Sequence, residues 1–61
     1  MKVEEAKELK KHLTITRNKI HEAIACLEVN SLVLAYKAAA TADNLLYAAL
    51  TDLSNQFPHE L

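Results

Sequence analysis

Small and apolar residues recur along the first half of the chain at alternating spacings of three and four: Ala6, Leu9, Leu13, Thr16, Ile20, Ala23 and Leu27, with Val3 and Ile24 widening the stripe. This is the heptad pattern of a helix buried along one side. The second half repeats it in Leu32, Ala35, Ala39, Ala42, Leu46, Ala49 and Leu53. Glycine is absent and the one proline is Pro58, so the residues before it lack the usual punctuation of turns and strands. The pattern predicts an all-α fold: a helix over about 3–28, a turn over about 29–31, a helix over about 32–56 and a frayed tail, 57–61, stopped by Pro58. Phe57 is expected to fold back over the hairpin end. In the connection Glu28-Val29-Asn30-Ser31, Asn suits a left-handed helix end and Ser suits an N-cap whose hydroxyl accepts from the next turn. So short a link makes the helices antiparallel neighbours in one helical-hairpin domain, 1–61.

The two helices are unequally clothed. Between Leu32 and Leu53 the only charges are Lys37, Asp43 and Asp52. On a wheel of 100° per residue, Lys37, Thr41, Asn44, Thr51 and Asn55 form one polar stripe about 80° wide. The remaining arc holds the seam, with Leu34, Ala38 and Leu45 on one flank and Tyr36, Ala40, Tyr47 and Leu50 on the other. Ala35, Ala42 and Ala49, seven apart, allow a neighbouring backbone to come close. One partner helix covers only the seam, so the expectation is a homodimer in which two hairpins form a four-helix bundle. Leu34, Tyr36, Ala38, Leu45, Tyr47 and Leu50 are the candidate partner or dimer surface, and Tyr36, Asp43 and Tyr47 suit the rim of an interface.

This layout resembles the Rop family of plasmid copy-number regulators, hairpins of similar size that dimerise into four-helix bundles and bind paired RNA loops. The resemblance covers architecture over about residues 3–56. It carries over no functional residue, and the Phe of that family's RNA-binding face has no counterpart on this chain's first helix.

Size strengthens the case for assembly. Below about 70–80 residues one core rarely supplies more than roughly 3–5 kcal/mol, and this chain of 61 residues has a single cysteine, Cys26, so no internal disulfide can help. A lone thiol fits a reducing compartment. With Glu4 and Glu5 where a signal peptide needs apolar residues, and no apolar run of about 18–20 residues, the expected location is the cytoplasm, without membrane contact. The ending His59-Glu60-Leu61 lacks the Asp of an ER-retrieval signal.

The formal net charge of −1 selects no partner, but six of the seven Lys and Arg residues fall in the first 19 positions. Lys7, Lys10, Thr14, Arg17, Asn18 and His21 lie within about 100° on the wheel, with no carboxylate among them until Glu28. That face suits a phosphate backbone, and would double in a dimer with adjacent first helices. The plainer reading is a solvated flank balanced by Glu4, Glu8 and Glu22, three or four positions from Lys7, Lys11 and Lys19. No exposed ring interleaves the cations, against single-strand binding. The run from Leu13 to Ile24 also resembles the turn and recognition helix of a helix-turn-helix, with Ile15, Thr16 and Ile20 in place. Lys10 and Thr14 depart from that motif, and the heptad runs straight through the supposed turn.

Catalytic signatures fail. His21-Glu22 begins like the zinc-protease HExxH, but Ala25 stands where the second His must be. Glu22, one turn before Cys26, disfavours a thiolate. The sequence therefore predicts no enzyme, cofactor, metal or small-molecule substrate. It predicts a small helical regulator or adaptor, of a kind frequent in phages and plasmids, acting through protein–protein contact as a homodimer. The alternative is an RNA- or DNA-binding regulator using the basic face.

Overall fold

The computed structural model describes residues 2–56, which form two helices, α1 (Val3–Glu28) and α2 (Leu32–Ser54), packed on each other as a hairpin. No strand occurs among the described residues. The rod measures 45 × 18 × 13 Å. α1 begins with Glu4 and Glu5 in its first turn, where carboxylates favour the positive end of the helix dipole. It runs unbroken through Thr14-Ile15-Thr16, so the helix-turn-helix alternative is excluded. Threonine is a poor helix former partly because its hydroxyl competes for backbone partners. Here Thr14 donates to the Lys10 carbonyl at 2.8 Å and Thr16 to the His12 carbonyl at 3.0 Å, so both hydroxyls are satisfied inside the helix.

The turn follows from one residue. Asn30 has φ 58°, the left-handed region that Asn tolerates better than most side chains. With Asn30 so placed, Ser31 N–H donates to the Cys26 carbonyl at 2.7 Å and Asn30 N–H to the Leu27 carbonyl at 2.9 Å, the paired bonds of a Schellman motif. Ser31 thus differs from its expected role. Its side chain caps nothing; the residue serves through its backbone, whose N–H closes α1 while its carbonyl accepts from Ala35 N–H at 3.0 Å to open α2.

α2 stops at Ser54 rather than near 56. The Thr51 carbonyl accepts from both Ser54 Oγ at 2.9 Å and Asn55 N–H at 3.1 Å, while Gln56 N–H turns back to the Leu53 carbonyl at 3.0 Å. The last turn is thereby tightened. The expectations for Phe57, Pro58 and the tail 57–61 lie outside the described residues.

The hairpin closes on small side chains. Thr16 and Ala23 of α1 are buried, as are Ala35, Ala38, Ala42 and Ala49 of α2, and Ala49 is fully enclosed at 0 % exposure. The larger members of the expected seam are not enclosed: Leu13, Ile20, Leu27 and Leu46 remain 36, 45, 55 and 39 % exposed. Two helices touch along a strip narrower than a full heptad face, and they approach closest where side chains are smallest. The contact has therefore rotated onto Thr16 and Ala23 on α1 and onto the alanines of α2, leaving the other edge of each seam uncovered.

Candidate functional site

The uncovered edges of the two seams meet in one open groove. Ile20, Ala23, Ile24 and Leu27 form its α1 wall and floor, and Ala39, Ala42, Asp43 and Leu46 those of α2. Ala23 and Ala42 are the buried floor; Ile20, Ile24, Leu27 and Leu46 stand over it with about half their surface in water. Asp43 is the single charge of the lining, on the α2 rim. Farther along α1, Ala6, Leu9, Leu13, Lys10, Thr14 and Arg17 line a shallow trough. Leu13 and Ile20 are one heptad apart, as are Arg17 and Ile24, so trough and groove lie on one side of α1 with Lys10 and Arg17 along the outer rim.

The expected partner surface divides in two. Tyr36, Tyr47, Leu50 and Leu34 are exposed, with the tyrosines at 76 and 74 %. Tyr36 and Leu50 are one heptad either side of Asp43, on the same rim. Ala38 and Leu45 belong elsewhere: Ala38 is buried in the hairpin and Leu45 is half-buried, its carbonyl bonded to His12 of α1. Both joined the inter-helix contact when it rotated away from the seam centre, so neither serves as a free docking surface in this hairpin.

His12 is the residue that pattern reading passed over. Its Nε2 lies 2.8 Å from the Leu45 carbonyl oxygen, and since a carbonyl only accepts, the imidazole donates and Nε2 carries a proton. The bond spans 33 positions of sequence. Only close backbones allow a histidine to reach the main chain of a neighbouring helix, and the alanine row supplies that closeness. Its signal in the sequence was position: His12 is four residues before Thr16 and three after Leu9, on the buried side of α1.

The six residues of the expected nucleic-acid face do share one side of α1. Lys7, Lys10, Arg17, Asn18 and His21 are exposed, and Thr14 is half-exposed. Thr14 already uses its hydroxyl proton on the Lys10 carbonyl, which leaves it an acceptor and removes it as a donor to phosphate. Among the described residues the one ion pair is Lys19–Glu22 at 3.1 Å, on the solvated surface, where such a pair contributes little.

A broader hollow at the open end of the hairpin is rimmed by Glu4, Glu5, Glu8 and Asp52. Among the described residues no three His, Cys, Asp or Glu side chains are placed to hold a metal ion. Cys26 is free and half-buried, and the nearby His21 is exposed on another side of the helix. No described helix is long and apolar enough to cross a membrane. In comparisons with known proteins, no family model, curated protein or solved structure matches this chain.

Proposed function

We propose that this protein is a small non-enzymatic regulator or adaptor of the cytoplasm, which works by protein–protein contact as a homodimer whose hairpins close their open grooves on each other into a four-helix bundle. The observation that carries this reading is the inversion of the hairpin's interior: its buried residues are alanines and a threonine, while Ile20, Ile24, Leu27 and Leu46 stand half in water along one side. Alanine burial stabilises little, at roughly 25 cal/mol per Å² of apolar area. The larger apolar surface is outside, in a contiguous strip of the kind that marks an interaction site. A second copy offers the same strip, and a two-fold makes it self-complementary. Once the grooves are closed, Tyr47 and Leu34 are left as exposed anchors for another protein.

Sedimentation combined with thermal unfolding tests this. The expected result is a dimer at tens of micromolar, with a midpoint that rises with protein concentration because folding and association are linked. A monomer with a concentration-independent midpoint refutes the homodimer.

A second reading rests on the single-signed ridge from Lys7 to His21, in which Lys7, Lys10, Arg17, His21 and the amide of Asn18 all face water. On this reading the protein binds duplex RNA or DNA through phosphate contacts. Affinity for a short duplex then falls steeply with salt, and replacing Lys7 by Gln lowers the slope of log affinity against log salt by about 0.9. An unchanged slope rules that contact out.

A further inference from the structure

Resting on the homodimer reading, we propose how the second copy sits: the two-fold axis runs parallel to the helices, so that each α1 lies against the partner's α2 and both turns emerge at the same end of the bundle. Two orientations of a two-fold close the groove on itself with the helices aligned. One runs along the helices and sets α1 on the partner's α2; the other runs across them and sets α1 on the partner's α1 and α2 on the partner's α2. Both bury the same apolar strip. The charged rims distinguish them.

An axis along the helices preserves height, so residues at equal distance from the turn meet across the interface. Counting from Glu28 back along α1 and from Leu32 forward along α2, Ile24 and Tyr36 are both four residues from the turn, Arg17 and Asp43 both eleven, and Lys10 and Leu50 both eighteen. These are the two outer rims. The arrangement therefore sets Ile24 on the partner's Tyr36 and Arg17 against the partner's Asp43, twice over by symmetry. It also lays the Lys10 stem along the partner's Leu50, an apolar surface that a lysine can cover while keeping its ammonium in water. Inside the rims, Ile20, eight residues from the turn, falls within one residue of the level of the partner's Ala39, seven from it, large on small, which helps facing layers interdigitate.

The crosswise axis makes each rim meet itself. With the hairpins fully overlapped, Asp43, the midpoint of α2, faces the partner's Asp43, and the basic rim of Lys10 and Arg17 runs beside its own copy. Like charges at an interface rim are unfavourable and work against that register. The chosen axis has a further effect: it places the two α1 helices diagonally, so their basic ridges stay on opposite sides of the bundle and do not merge into the doubled patch that adjacent first helices would give.

The test measures the turn-to-turn distance. Val29, exposed in the turn, is replaced by Cys in a Cys26→Ser background and spin-labelled, after sedimentation has established the oligomeric state. In a dimer with turns together the labels are expected within about 25 Å, set by helix spacings of 8–10 Å plus the label arms; turns at opposite ends stand about 40 Å apart, the length of a 26-residue helix at 1.5 Å per residue. A dimer with the long distance overturns this inference and leaves the homodimer standing, whereas a monomer removes the homodimer itself. A charge swap gives an independent readout. Asp43→Arg alone should raise the dimer dissociation constant about tenfold, and adding Arg17→Asp should restore it to within about threefold. Absence of rescue overturns the pairing of the rims.

Discussion

Ile20→Asp is expected to abolish association and, at micromolar concentration, to remove most of the helical circular-dichroism signal with it. Ile20 is 45 % exposed on the wall of the groove. In an isolated hairpin an aspartate there would reach water and cost little more than its helix propensity, a few tenths of a kcal/mol. Inside a closed bundle it lies against the partner's apolar wall, and Arg17, one turn away, can neutralise it only by leaving the rim. Burying an uncompensated polar or charged group costs on the order of several kcal/mol, and symmetry applies the cost twice. Thr41→Asp supplies the control, since Thr41 is exposed and its hydroxyl serves only the Lys37 carbonyl of its own helix. Sedimentation and helicity measured on both variants decide the matter. Equal behaviour would mean that the groove faces water in solution and that the dimer reading is wrong.

Ala49→Leu should lower the thermal midpoint by about 10–20 °C, which corresponds to roughly 2–3 kcal/mol for a chain of this size. Ala49 has 0 % exposure, so three added carbons have no space without separating the helices. Separation would also stretch the part-buried bond from His12 to the Leu45 carbonyl, one turn away, and losing it adds a further penalty. Ala48, the adjacent residue, is exposed. Ala48→Leu changes the same atoms on the solvent side and should leave the midpoint within about 3 °C, as surface substitutions do. Calorimetry on the pair tests the helical phase directly. A similar loss at both positions would show that α2 is rotated from the orientation described.

The elements themselves were legible because their causes are local. Alternating spacings of three and four, with neither Gly nor Pro before Pro58, suffice to predict two helices, and Asn30 marks the reversal through its tolerance of positive φ. Ser31 stands at the N-cap position, as its residue type suggests, yet its hydroxyl makes no cap bond and its backbone does the joining. Which half of each heptad stripe forms the intramolecular contact was not legible. That choice depends on both helices at once, since the side with the smallest residues on both helices wins. The repeat of Thr16 and Ala23 on one helix and Ala35, Ala42 and Ala49 on the other is the trace of it, visible once sizes are compared rather than hydrophobicities. Ala38 and Leu45 turn inward because the contact is centred on the alanine edge of the α2 stripe and not on its middle. The exposure of Lys7, Lys10, Arg17, Asn18 and His21 follows from the periodicity of α1 alone.

An interior of alanines also shapes the time course of folding. Alanine has no rotamers to freeze on burial, so apart from Thr16 and its half-buried neighbours the hairpin contact is made with almost no loss of side-chain entropy. The three-residue link keeps the ends close, and loops of about ten residues already close in tens of nanoseconds. Transient hairpins should thus form and dissolve quickly and often, each one presenting Ile20, Ile24, Leu27 and Leu46 before any partner arrives. Under the dimer reading, the search through conformations is finished within a single chain, and what remains slow is the encounter between two of them.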